Sequence, residues 1–268
     1  TGANHRYTTQ YHDLLTVDGK WGIDPIQSLN WFVAHTRNPI LYDSQQALGA
    51  TYRYRSPSWE FELARSRIGE NFDPQMGYLK RSFGYFRSVL SSTYRYRARY
   101  ANILEVQPFI YHWNYTRLNN IVDESGLSLG NRVIMKNTAQ YNIILARLEK
   151  TFRTPYMIHK GVSIPSGYYE FYRVTLEQTS PKNRPWQLSQ TGRVGQLYDG
   201  THLYYNPTLK WQANQFLSIS GGLEYLTAKL KSGRFNTHIW NISSTYQFNN
   251  QLGFTSKYQL NSVMNMVG

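Results

Sequence analysis

The sequence predicts an all-β fold, an antiparallel transmembrane β-barrel of roughly fourteen strands that this chain need not complete. Three observations carry that expectation. Apolar and polar residues alternate with a period of two along successive stretches. The apolar side of those stretches is crowded with tyrosine and tryptophan, and tight connections alternate with longer ones.

In chain order, the first candidate strands cover residues 7–15 and 29–35. Next, Leu48, Ala50, Tyr52 and Tyr54 oppose Thr51, Arg53 and Arg55, and Trp59, Phe61 and Leu63 oppose Glu60 and Glu62. Less regular stretches follow at 83–97, 103–115, 126–135, 140–149, 168–177 and 187–197. The alternation is cleanest from His202 onward. There Leu203, Tyr205, Leu209 and Trp211 share one side, and His202, Asn206, Thr208, Lys210 and Gln212 share the other. Leu217, Ile219, Leu223 and Tyr225 then oppose Ser218, Ser220 and Glu224. Trp240, Ile242, Tyr246 and Phe248 oppose Thr237, Asn241, Ser243, Thr245 and Gln247. Last, Leu252, Phe254, Tyr258 and Leu260 oppose Thr255, Lys257, Gln259 and Asn261.

Turn-forming residues mark tight connections at Ser56-Pro57-Ser58, Lys136-Asn137-Thr138, Asn214-Gln215 and Asn249-Asn250. Longer connections are expected at 69–77, 117–125, 150–167 and 229–233, with Asp199-Gly200 as a short connection where the alternation asks for a long one. Short turns at one rim and long loops at the other are the habit of outer-membrane barrels.

A soluble β-sandwich alternates too, but its apolar face packs a core and favours valine, isoleucine and leucine. Tyrosine and tryptophan near strand ends suit a membrane interface instead, because an amphipathic ring fits the headgroup zone. The mean hydropathy of −0.55 accords with a barrel, in which every second residue meets water. No stretch approaches the ~18 consecutive apolar residues that a spanning helix requires.

The net charge of +13, from 29 Lys+Arg against 16 Asp+Glu, is compatible with nucleic acid, anionic lipid or an anion-attracting channel. The basic residues are dispersed along strands, as in Tyr52-Arg53-Tyr54-Arg55 and Tyr94-Arg95-Tyr96-Arg97, rather than gathered in blocks, which weakens the nucleic-acid reading. With no cysteine, disulfide frameworks and thiolate chemistry are excluded. Residues 1–11 lack the charged start and apolar core of an export signal, so the expectation is a mature chain, or a piece of a longer protein, whose signal lay upstream.

A search for catalytic chemistry finds no site. His5, His12, His35, His112, His159, His202 and His238 stand far apart, and no pair has the spacing of a zinc-binding helix. Glu60 and Glu62 share a face, but a glycosidase pair is usually drawn from different elements. Gly221-Gly222 lies within a strand, where it relieves crowding or bends the sheet, and the segment 161–167 departs from the nucleophile-elbow spacing despite Ser163 and Ser166. The expectation is therefore a non-enzyme with no catalytic, cofactor-binding or metal-binding residues and no cofactor.

Ile68-Gly69-Glu70-Asn71-Phe72-Asp73-Pro74-Gln75-Met76-Gly77-Tyr78 and Gly161-Val162-Ser163-Ile164-Pro165-Ser166-Gly167-Tyr168-Tyr169 resemble segments of a poorly characterised bacterial outer-membrane family, in which a secreted module similar to family-nine carbohydrate-binding modules precedes a C-terminal β-barrel. To these are added residues 195–200, Gly233-Arg234-Phe235, Tyr246-Gln247-Phe248 and Lys257-Tyr258-Gln259-Leu260-Asn261-Ser262. The resemblance runs from about Leu48 to the end and concerns the barrel part only, because nothing here corresponds to the sugar-binding-like module. Family members continue for further strands and finish on an aromatic-terminated one, so the resemblance implies that residues 1–268 are a barrel domain from a longer protein.

A charge on the lipid side would cost ~2–4 kcal/mol at mid-depth. That places Arg53, Arg55, Glu60, Glu62, Arg95, Lys210, Glu224 and Lys257 toward a lumen, and Tyr205, Trp211, Trp240, Tyr246, Phe254 and Tyr258 toward lipid. Mixed charges of this kind either bridge across a narrow lumen or line a wider one and select ions. The implied function is a channel, or a membrane platform for an attached or partner module, in the outer membrane of a Gram-negative bacterium. The partners are outer-membrane lipid and periplasmic or surface proteins, with no nucleic acid and an unspecified solute, and the resemblance adds a saccharide-related role. The alternatives are a soluble all-β nucleic-acid-binding protein and an outer-membrane barrel hydrolase.

Overall fold

A computed structural model describes residues 13–37, 43–74, 81, 83–99, 102–249 and 251–262. The described residues are all-β, without a helix. The strands are β1 (Asp13–Asp24), β2 (Gln27–Arg37), β3 (Gln46–Arg55), β4 (Trp59–Ile68), β5 (Tyr85–Tyr94), β6 (Tyr96–Arg97), β7 (Ile103–Arg117), β8 (Val122–Met135) and β9 (Gln140–Phe152). They continue with β10 (Tyr156–His159), β11 (Val162–Ile164), β12 (Gly167–Thr179), β13 (Trp186–Leu197), β14 (Gly200–Gln212), β15 (Leu217–Leu230), β16 (Gly233–Gln247) and β17 (Gly253–Asn261).

Fourteen strands follow one hydrogen-bonded order, β1-β2-β3-β4-β5-β7-β8-β9-β12-β13-β14-β15-β16-β17, in which β1 and β17 have one neighbour each; β6 pairs with β7. β10 and β11 make a separate hairpin. Two compact units divide the chain, one within Thr1–Ser92 and His112–Ser125, the other within Thr93–Tyr111 and Gly126–Gly268.

In the first unit, the register sets Thr16, Asp18 and Lys20 beside Asn30, Phe32 and Ala34, and those beside Ala47, Gly49 and Thr51. Arg53 and Arg55 continue that face and meet Glu62 and Glu60 on β4. The opposite face carries Leu15, Val17, Trp21, Trp31, Val33, Leu48, Trp59 and Leu63, all exposed. A strand turns successive side chains to opposite sides, so the alternation in sequence becomes two chemically distinct surfaces.

The second unit repeats this division over more strands. One row across five strands reads Gln187, Lys210, Ser220, Ser243 and Lys257. The adjacent row on the other face reads Leu188, Leu209, Gly221, Ile242 and Tyr258.

Three sequence expectations change. The first strand extends to Asp24 rather than ending at Leu15, and residues 7–12 lie outside the described residues. Asp18, Gly19, Lys20 and Gly22 interrupt the apolar periodicity, yet Gly19 faces Trp31, whose indole would lie 2.8 Å from any Cβ placed there. Glycine thus admits the ring, and a cross-strand contact overrides a weak local pattern.

The connection near 229–233 is not long, since β15 and β16 join through Lys231-Ser232 alone. Lys231, Ser232 and Gly233 resemble a loop in composition, but Gly233 already pairs with Leu230 at φ +152°. The connection near 117–125 shrinks to residues 118–121, with Asn120 at φ +64° turning the chain. Asn is among the residues that tolerate that region, so a tight turn suffices.

Candidate functional site

The surfaces that bear on function are the two faces and the connections folded onto one of them. On the polar face of the first unit, Arg53 Nε donates to Glu62 Oε2 at 2.7 Å and Arg55 Nε donates to Glu60 Oε1 at 3.0 Å. Each pair is directly opposite in register, so Glu60 and Glu62 are each bonded to an arginine on the next strand. Cross-strand opposite charges of this kind are the sheet counterpart of helical ion pairs.

In the second unit, Lys210 and Lys257 fall on one row of the polar face, and Glu224 stands on the same face opposite Ile239. Arg95 differs from its expected strand position: it occupies the one-residue break between β5 and β6. Sequence reasoning missed the polar neighbours that accompany these charges. Asn142 Nδ2 donates to Glu177 Oε2 at 2.9 Å, and Arg193 Nε donates to Thr175 Oγ1 at 3.3 Å with its guanidinium 5.2 Å from the centre of the Tyr204 ring. All lie on the Lys257 side by register, a parity that the less regular stretches at 140–149 and 168–177 already contained.

All six expected lipid-facing aromatics share the opposite face. Tyr205 pairs with Tyr225, Trp240 with Leu223 and Leu260, Tyr246 with Phe254 and Leu217, and Tyr258 with Ile242. Trp211 stacks on Trp186 across the ladder, with ring centres 5.1 Å apart. Of the six, Tyr205, Trp240, Tyr246, Phe254 and Tyr258 are exposed and Trp211 is half-buried, and Leu145, Leu176, Val194, Leu203 and Leu209 around them are exposed as well. Soluble monomers rarely leave an apolar surface of this extent uncovered.

The buried apolar residues lie mainly on the polar face, where a connection folds back over it. In the first unit Phe72, from the connection after β4, packs on Ala34 and Ala47 together with Phe32 and Ile68. The same connection carries Arg81, whose guanidinium lies 3.8 Å from the Tyr115 ring centre and bonds Glu124 at 2.6 Å. Arg117 stacks on Phe83 at 3.6 Å and reaches Asp123 at 3.3 Å, and Arg81 approaches the same carboxylate at 3.8 Å. Arg81 and Asp123 are 10% and 8% exposed, so this network ties the connection to β7 and β8 in a site poor in water. Residues 75–80, within this connection and within the segment that resembles the family, lie outside the described residues.

In the second unit the β10–β11 hairpin does the same. Val162 and the fully buried Ile164 pack with Ala228, Leu230 and Phe235, flanked by Phe152, Tyr169, Leu197 and Tyr198. Ala228 and Phe235 are directly opposite on the polar face, and His159 stacks on Phe235 with ring centres 4.9 Å apart. Gly161, at φ +77°, makes the hairpin turn. Small side chains at Ala34, Ala47 and Ala228 leave the space that these connections fill. Nothing in local periodicity signals such packing, because the partners are far apart in sequence.

Among the described residues no group of three or more His, Asp and Glu side chains is placed to hold a metal. His5 and His12 lie outside those residues. Gly221 and Gly222 do lie within β15, and a Cβ at Gly221 would meet nothing within 4 Å. No family model matches this chain, and no curated protein or solved structure matches it either.

Proposed function

We propose that this chain is an outer-membrane β-barrel whose aromatic face meets lipid and whose polar face lines a lumen narrowed by two connections folded into it. The observation that carries the reading is the inversion of the usual arrangement: large apolar side chains are exposed while alanines and polar groups are covered. In water such a surface would associate; in a bilayer it is the solvated one.

Each of these connections covers the polar face of its own unit, the one after β4 over Ala34 and Ala47 and the β10–β11 hairpin over Ala228 and Phe235. Charged pairs such as Arg53–Glu62 then line the wall beside its neighbours rather than spanning the lumen. This favours a restricted or gated channel over a wide pore, with the platform role as the reading if no current flows. The saccharide-related role rests on the family resemblance alone.

The test is refolding into detergent and planar bilayers. A folded band that shifts on boiling, together with discrete conductance steps, is the expected result. Removal of residues 156–164 is expected to raise the unit conductance. A protein that stays soluble and monomeric without detergent would overturn the barrel, and salt-sensitive nucleic-acid binding by that soluble form would replace it. A stable barrel that never conducts would leave the platform.

A further inference from the structure

We propose that Lys229 and Arg234 form a clamp for the phosphate of an anionic lipid headgroup, an inference that rests on the membrane reading above. The two residues are directly opposite on β15 and β16, one pair away from the Lys231-Ser232 turn. Both are exposed and both stand on the aromatic face. Like charges directly opposite each other destabilise a ladder unless an anion lies between them. Among the described residues neither has a carboxylate within 4 Å. The acidic side chain of the neighbouring turn, Asp199, accepts the Lys231 backbone N–H at 3.5 Å.

The composition of the face below the pair supplies the rest of the argument. Moving along β15 and β16 from Lys229 and Arg234, the aromatic face passes through Thr227 and Asn236, then Tyr225 and His238, then Leu223 and Trp240. Four residues of strand separate Lys229 from Tyr225, on the order of 14 Å before tilt is allowed for. Cations thus stand just outside the aromatic girdle, at the depth of lipid phosphates rather than of acyl chains.

The first unit carries the same order independently. On β4, Arg65 and Arg67 follow Leu63 on the aromatic face, with His35 of β2 beyond Val33, and Arg65 lies over the Phe86 ring at 5.3 Å. At the other ends of these strands that face shows uncharged Trp21 and Trp59, and in the second unit Trp186 and Trp211. Charged side chains on the aromatic face therefore gather at one edge of the apolar band within each unit, with Asp13 opposite Arg37 in the first and Glu149 and Glu170 bonded to Arg147 in the second, whereas Lys229 and Arg234 face each other without a carboxylate. A phosphate between an ammonium and a guanidinium accepts charge-assisted hydrogen bonds from both.

The experiment uses the full chain refolded into vesicles of phosphatidylcholine alone or of phosphatidylcholine with phosphatidylglycerol, comparing the parent with the Lys229→Gln/Arg234→Gln variant. In phosphatidylcholine the variant is expected to be at least as resistant to denaturant as the parent, because a repulsion has been removed. In the anionic vesicles the order is expected to reverse, with retention of phosphatidylglycerol by the variant reduced about tenfold in native mass spectrometry. Inorganic phosphate added to phosphatidylcholine vesicles is expected not to reproduce the stabilisation. Equal gains for parent and variant in anionic vesicles, or full reproduction by inorganic phosphate, would overturn the lipid clamp and leave the barrel standing. Failure of the parent to insert into either vesicle would overturn both.

Discussion

Arg53 and Glu62 occupy directly opposite positions on β3 and β4, and the guanidinium Nε donates to the carboxylate at 2.7 Å. Their side chains are 40% and 31% exposed, so water screens the pair and its net contribution is modest. A double-mutant cycle with Arg53→Gln and Glu62→Gln is expected to give a coupling of ~0.2–1 kcal/mol in urea unfolding of the refolded protein. The exchange Arg53→Glu/Glu62→Arg is expected to recover most of what either reversal alone loses. Additive losses would mean that the contact does not form.

This pair also shows what a sequence of this kind makes legible. Alternation at 48–55 and 59–63 was enough to place Arg53, Arg55, Glu60 and Glu62 on one face, because parity survives errors of a residue or two in strand ends. It was enough for the aromatic set from Tyr205 to Tyr258 as well. Parity does not depend on which strands are neighbours, whereas contacts do. The packing of Ile164 on Ala228 and Phe235, and of Phe72 on Ala34 and Ala47, joins residues distant in sequence. Composition also misjudged connections: Lys231-Ser232-Gly233 looks like a loop, yet the pairing of Leu230 with Gly233 closes it in two residues.

Ile164 is fully buried, the deepest point of the hairpin's contact with the sheet. Ile164→Ala is expected to lower the opening free energy of β10 and β11 by ~2–5 kcal/mol, by lost transfer energy and the cavity left behind. Amide exchange at 156–164 is the appropriate measurement. Protection there should fall while protection along β15 persists. Uniform loss along β15 would show the hairpin to be part of the sheet's own cooperative unit.

Two glycines offer a matched comparison. Gly195 has φ +144°, and a Cβ there would stand 2.4 Å from the Tyr172 carbonyl oxygen. Gly195→Ala is expected to destabilise by ~1–3 kcal/mol, through backbone strain and a contact that backbone atoms cannot relieve. Gly221 sits in β15 with nothing within 4 Å of a would-be Cβ. Gly221→Ala is expected to be neutral or to stabilise by ~0.4–1 kcal/mol by restricting the unfolded chain. Denaturant midpoints of the two refolded variants decide the matter, and equal effects would contradict the local geometry.

Ile242 and Asn241 are neighbours near the middle of β16 that point to opposite sides. Ile242 faces Gly221 and Tyr258 on the aromatic side, and Asn241 faces Gly222 and Gln259 on the polar side. Both are exposed, so an aqueous sheet would accept arginine at either place with changes within about ±0.5 kcal/mol. A bilayer distinguishes them. Ile242→Arg would place a guanidinium in hydrocarbon, at a cost of ~2–4 kcal/mol, while Asn241→Arg would place it in the wet interior at little cost. Urea titration in phosphatidylcholine vesicles measures the difference directly. A loss confined to Ile242→Arg is what lipid contact requires. The reverse order would mean that the aromatic side is the wet one, and near-equal values would mean that water bathes both sides.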